Sequence, residues 1–372
     1  MDQHPKWPPR PGESSRPSRG RTRTRARTIL AVLTPALVAG CLGAGGPAVT
    51  KSPGPTMPPP VSTPTRPSAT TAPVGAITAS AVIENIGAKG AIAIAAGPDA
   101  VWIGGDREVI RVDPADNSTT TIPVPIDDGS WTGMVVVGEE LWASDYYGNA
   151  VVHVDLPSGA TTRIDTPTPT SPVLTAFGLW VAPEHGGTLT RIDRATRSID
   201  LEVPAAGLRK FPAAVGKELW FGGIRDGLPL AVRLDPASGE TIGDIVLPKD
   251  TGCYFRVGDG GLVWTMGGCG GAARNAMAVI DPVTGSVTLA NTPKAFLGDI
   301  VAIDGTTWML RSPAAGKSGV IVAYASNGTV DRVLDLPVDL DPDWAIVAFG
   351  SLWVPADQRG RVYRFPVDAL AP

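Results

Sequence analysis

Histidine and cysteine are scarce, with three of each in a chain of 372 residues. That scarcity excludes most of the familiar catalytic and metal-binding arrangements. His4 lies in a basic leader, His153 falls within an alternating apolar run, and His185 alone stands among loop residues. Cys253 and Cys269 have no histidine or further cysteine close in sequence, so a zinc site has no ligand set. No glycine-rich phosphate loop and no nucleophile elbow occur. The apolar stretch 29–40 is too short to cross a bilayer as a helix.

Positive charge is also lacking once the first 40 residues are set aside. They hold eight of the 32 Lys and Arg but only two of the 36 Asp and Glu, leaving 24 basic and 34 acidic residues, a net charge of about −10. Such a surface repels nucleic acid phosphates, and no nucleic acid partner is expected.

A basic run ending at Arg27, followed by residues 29–40, has the order of an export signal. It closes on Leu37-Val38-Ala39-Gly40-Cys41, which resembles a bacterial lipobox, and the resemblance implies that Cys41 begins the mature chain and carries lipid. Residues 41–77 form a linker rich in Pro, Thr and Ser that cannot bury enough apolar surface to offset chain entropy. The expected organisation is a signal at 1–40, an anchored stalk at 41–77 and a folded region at 78–372, exposed on the extracytoplasmic side of the cell membrane.

What the chain has in regular supply is tryptophan. Trp102, Trp142, Trp180, Trp220, Trp264, Trp308 and Trp353 recur at intervals of 38 to 45 residues, each behind a small-residue turn and an apolar position. A period of that length marks a repeat architecture. Within each copy, an apolar strand leads through a turn to the Trp strand; a third strand follows a variable loop and ends near Asp, as in Val109-Ile110-Arg111-Val112-Asp113-Pro114. A more polar strand follows a turn such as Asp281-Pro282-Val283-Thr284-Gly285, whose Asp, Pro and Gly have plain turn roles. Four antiparallel strands in seven copies predict an all-β, seven-bladed β-propeller. The last copy is one strand short, and residues 79–86 have the pattern to complete it from the N-terminal side.

The repeated Gly-x-x-Leu-Trp-Val and Val-x-Arg-Ile-Asp-Pro-x-Thr-Gly pattern resembles the extracytoplasmic propellers of the YncE-like and YVTN type, with virginiamycin B lyases and gluconolactonase-like propellers as superfamily neighbours. The resemblance covers roughly residues 78 to 370 and implies a fold more than an activity. Leu219-Trp220-Phe221-Gly222 departs from the Trp-Phe-Thr-Glu strand of the lyases. Asp106, Asp145 and Asp226 could supply carboxylates to a lactonase-like metal, but no Glu matches that family's blade entrance.

Function is expected where the copies differ, in loops 104–108, 144–150, 182–188, 222–229, 266–275, 311–318 and 355–360, which share one face. Candidate ligand-binding residues there are Asp106, Arg107, Asp145, Tyr146, Glu184, His185, Arg225, Asp226, Arg274, Arg311 and Arg359. Four of the arginines, on consecutive blades, could together hold an anionic ligand. Trp131 and Trp344 stand outside the repeat and belong either to this surface or to packing between blades.

The expected function is that of a membrane-anchored module binding a small anionic ligand or another envelope protein. It is read as a monomer, with no catalytic residue, metal or cofactor assigned. The alternative is a propeller hydrolase or lyase with its site at the mouth of the central channel. Cys253 and Cys269 are read as a disulfide closing about 15 residues, worth roughly 3 kcal/mol in the chain-entropy model. Unfolding the mature chain without reductant should leave both cysteines resistant to alkylation, and dithiothreitol should free them together.

Overall fold

The computed structural model describes residues 74–86, 93–126, 131–184, 187–204, 208–249, 251–252, 254–266, 276–290, 296–312, 319–337, 340, 344–356 and 360–370. The strands assemble into seven sheets, with first strands innermost and fourth strands outermost. Blades 1 to 6 span 93–123, 131–165, 173–204, 208–246, 254–290 and 296–335, and blade 7 takes 346–366 together with a strand from the start of the domain. The chain is a seven-bladed β-propeller.

Two short N-terminal strands tie the ring. β2 (Ala81–Glu84) pairs antiparallel with Arg361–Pro366 and supplies the outer strand that blade 7 lacks. β1 (Val74–Ala76) falls within the segment read as linker, yet it pairs parallel with Val330–Asp335 as a fifth strand on blade 6. Of its three residues only Val74 has a side chain favoured in strands.

The tryptophans hold neighbouring blades together. All seven are no more than 4% exposed. In blades 1, 3, 4 and 7 each Trp faces an arginine across the strand pair, as Trp180 faces Arg191 and Trp353 faces Arg364. The guanidinium carbons lie over the indoles at 5.9 Å for Arg191, 5.6 Å for Arg233 and 4.8 Å for Arg364.

Arg191 then donates to the carbonyls of Pro236 (3.1 Å) and Ala237 (2.6 Å) in the Asp-Pro turn of blade 4, and Arg364 donates to the Pro114 carbonyl (2.7 Å) and Asn117 Oδ1 (3.0 Å) of blade 1. In blade 6 the facing residue is Ala323; Arg332, from the outer strand, covers Trp308 at 5.8 Å and reaches the Leu370 carbonyl behind blade 7. In blade 5 the facing residue is Val279, and Tyr324 of blade 6 packs on Trp264 with ring centroids 5.3 Å apart.

The Asp-Pro turns keep the structural role expected of them. Backbone amides of Val283 (2.8 Å) and Thr284 (3.1 Å) donate to Asp281 Oδ1, and Gly285 takes φ 71°. Those bonds, with Thr284 contributing most, hold the Asp281 carboxyl below its ordinary value.

Closure through β2 has a built-in control. Ile83 is buried at 6% exposure, whereas its neighbour Val82 faces outward at 43%. Ile83→Asp should cost about 3–5 kcal/mol in urea unfolding, because it loses apolar burial and buries an unpaired carboxylate. Val82→Asp should stay within about 0.5 kcal/mol of the parent.

Candidate functional site

The variable loops do not contribute equally. The best-built part is the rim of blades 2 and 3. The Trp strand of blade 2, Glu140–Asp145, ends in a carboxylate whose side chain is fully buried. Asp145 accepts from the Gly148 amide at 2.9 Å and from Arg163 Nη1, on the outer strand of the same blade, at 3.2 Å. A Cβ at position 148 would fall 1.9 Å from Asp145 Oδ2, so the loop closes over the carboxylate only with glycine. Arg163 also donates to the Gly148 carbonyl, fixing the loop from outside.

The next connection locks onto that loop. The Thr166 amide donates to the Asn149 carbonyl (2.9 Å), the Thr168 amide to Asn149 Oδ1 (3.0 Å), and the Glu184 amide to the Thr168 carbonyl (3.0 Å). Asn149 takes φ 55°, a left-handed value that asparagine tolerates well. Thr170 donates through both its amide and its hydroxyl to the Ala182 carbonyl. The loops of blades 2 and 3 are thus one hydrogen-bonded body.

On that body stand two half-buried tyrosines. The rings of Tyr146 and Tyr147 meet edge to face, with centroids 5.1 Å apart and planes at 78°. Desolvation, then the hydrogen bond to the Glu184 carboxylate, pushes the Tyr146 hydroxyl up to about 12. It is a neutral phenol at any physiological pH, which suits recognition rather than proton transfer.

The other candidates are placed elsewhere. Asp106 is half-buried and Arg107 exposed, both on the tight turn of blade 1. Arg225 ends the second strand of blade 4, where it pairs with Asp244 on the outer strand at 2.6 Å. Asp226 (φ 53°) and Gly227 (φ 76°) form a two-residue hairpin turn, so Asp226 serves the backbone. Arg311 belongs to strand Thr306–Ser312, not to a loop, and is fully buried, where desolvation lowers its pKa. His185, Arg274, Arg359, Cys41, Cys253 and Cys269 lie outside the described residues. Among the described residues no three His, Cys, Asp or Glu come together to hold a metal, so Asp106, Asp145 and Asp226 do not converge on a lactonase-like ion.

One polar cluster near the axis escaped the sequence reading. Asp299, 5% exposed in the innermost strand of blade 6, accepts from Arg256 Nε of blade 5 at 2.7 Å and from the Ala345 amide before blade 7 at 3.2 Å. Arg256 covers Trp344 at 5.4 Å. The signal was present as a lone Asp inside the apolar run Phe296–Ile303. Trp131, only 3% exposed, packs on Gly104 and donates its indole N–H to the Gly105 carbonyl, so it joins blades 1 and 2 instead of serving the surface.

Comparison with known proteins agrees on the architecture. A chain of a structure of catalytically inactive virginiamycin B lyase from Staphylococcus aureus with quinupristin has a TM-score of 0.61 at 16% identity, covering 77% of this chain and 99% of that one. A hydrazine synthase chain from Kuenenia stuttgartiensis scores 0.59 at 15% identity (75% and 97% covered), and a chain of the mitotic checkpoint complex scores 0.60 at 14% (80% and 96%). These likenesses are of fold. No family model matches the chain, and no curated protein matches it.

Blade 2 breaks the Trp–Arg rule with a titratable group. His153 faces Trp142 at 4.6 Å, is fully buried, and lies 3.5 Å from Glu140, which in turn binds Arg194 of blade 3 at 2.6 Å. Burial, with the nearby Arg197 charge, lowers its pKa from 6.5, although Glu140 and Asp155 act in the opposite sense. The unfolded chain then takes up the proton first, so this contribution to stability is complete above pH 6.5 and lost as pH falls toward the folded value. Denaturation midpoints should drop below pH 6.5 with a slope of up to about 1.4 kcal/mol per pH unit from this one proton. His153→Gln should remove that component and leave only the later loss in the carboxylate range.

Proposed function

We propose that this chain is an extracytoplasmic propeller of the YncE-like type, held at the membrane by lipid on Cys41, that binds a ligand or a second envelope protein on the rim of blades 2 and 3. The observation that carries the reading is the rigid rim itself. Two half-buried tyrosines and a carboxylate stand on loops whose backbone is fixed by Asp145, Arg163, Asn149 and Thr168. Pre-organised aromatic groups bind at a small entropic cost, and tyrosine is over-represented at binding surfaces.

The order of basic run, apolar stretch and Cys41 supports the anchor, and the excess of acidic residues favours a partner other than nucleic acid. The Cys253–Cys269 disulfide belongs to the same reading, supported by the pairing of Tyr254 with Met266. An anionic ligand draws less support, since Arg225 is engaged by Asp244 and Arg311 is buried. For the hydrolase or lyase alternative, His153 offers no accessible base.

Two measurements in intact cells test the reading. Cys41→Ser should abolish incorporation of labelled palmitate and release the chain from the membrane fraction. A benzophenone side chain placed at position 147 should give protein or ligand adducts, and the same group at position 177, exposed on the opposite face, should give none. Adducts from position 177 alone, or from neither position, would remove the rim as the site.

A further inference from the structure

The rim has a charge and a shape that narrow its ligand. Among the described residues, the loop carries the carboxylates of Asp145, Asp165 and Glu184 and the guanidinium of Arg163. Arg163 is already committed to Asp145, to Asp165 at 3.5 Å and to the Gly148 carbonyl. These four groups together carry a net negative charge. Beside the Glu184 carboxylate, the two rings meet at 78°, forming an aromatic corner. The face of an aromatic ring carries negative quadrupole density and attracts a cation within about 6 Å of its centroid.

We propose that the corner formed by Tyr146, Tyr147 and Glu184 recognises a primary alkylammonium group, supplied by a lysine side chain of a protein partner. This rests on the rim-binding function above and names the chemistry of its ligand. The paired rings offer π density to the charge, and the Glu184 carboxylate accepts an N–H bond while it holds the Tyr146 hydroxyl. A carboxylate oxygen has lone-pair capacity for both donors. A primary ammonium is favoured over a quaternary one because only the former can donate to Glu184. The apolar stem of lysine suits a half-buried aromatic wall.

The chain has only five tyrosines, so 3-fluorotyrosine labelling of the full-length protein in detergent micelles gives a readable fluorine spectrum. Tyr146→Phe and Tyr147→Phe identify the two rim signals. Titration with Nα-acetyl-lysine methylamide should shift both signals, with an apparent Kd of about 10 mM for an isolated cation–π and carboxylate contact. The uncharged Nα-acetyl-norleucine methylamide should leave them in place, and tetramethylammonium should bind more weakly than the lysine probe.

Glu184→Gln keeps an acceptor for Tyr146 but removes the charge, and should weaken lysine binding roughly fivefold. Equal response to the lysine and norleucine probes, tighter binding of tetramethylammonium, no response up to roughly 100 mM, or an unchanged affinity in Glu184→Gln would each overturn the proposal. Shifts of both rim signals on adding solubilised envelope proteins, without any response to the lysine probe, would overturn this inference and leave rim binding standing.

Discussion

The joint between neighbouring blades is the constraint on which the ring depends, and tryptophan makes it. A β-sheet in this architecture must bury both faces, yet the turn at the end of each blade exposes carbonyls that need donors. The Trp–Arg pairs of blades 3 and 7 meet both demands: the indole fills the space between sheets, and the guanidinium laid over it reaches the next blade's turn. Where the arginine is missing, the neighbour compensates. Tyr324 packs on Trp264 where blade 5 has Val279, and in blade 2 the link runs through Glu140 to Arg194, with the charge order reversed. The joint is conserved in kind within the chain although its chemistry varies from copy to copy.

That variation explains what was legible in the sequence. The Trp interval fixed blade number because each indole must recur at one place in a closed ring, and the short seventh copy pointed to an N-terminal strand, observed as β2. β1 was not legible, since three residues after a proline-rich linker carry too little pattern to separate a sheet edge from a coil. The Asp226-Gly227 hairpin was legible in principle as an Asp-Gly turn signal, although Arg225 and Asp226 look like loop charges in one dimension.

The rim was half legible. Tyr146 and Glu184 stand out as loop residues, but what orders them comes from Arg163 on an outer strand and Asn149 at a left-handed turn. These are tertiary relations without a local signature. Arg311 shows the opposite failure: a charge at the end of a strand looks solvated in one dimension and proves buried in three. Asp299 with Arg256 is a similar case, a pair 43 residues apart that only the ring brings together.

The parallel pairing of β1 along blade 6 also sets how the domain meets mechanical load. Tension applied through residue 74 along the strand axis would strain the bonds between Val74–Ala76 and Val333, Leu334 and Asp335 in shear, so that they yield together. A strand leaving at right angles would instead unzip one bond at a time. Because β1 precedes β2 in the chain, force arriving from the N-terminal side meets this clamp before it reaches the strand that closes the ring.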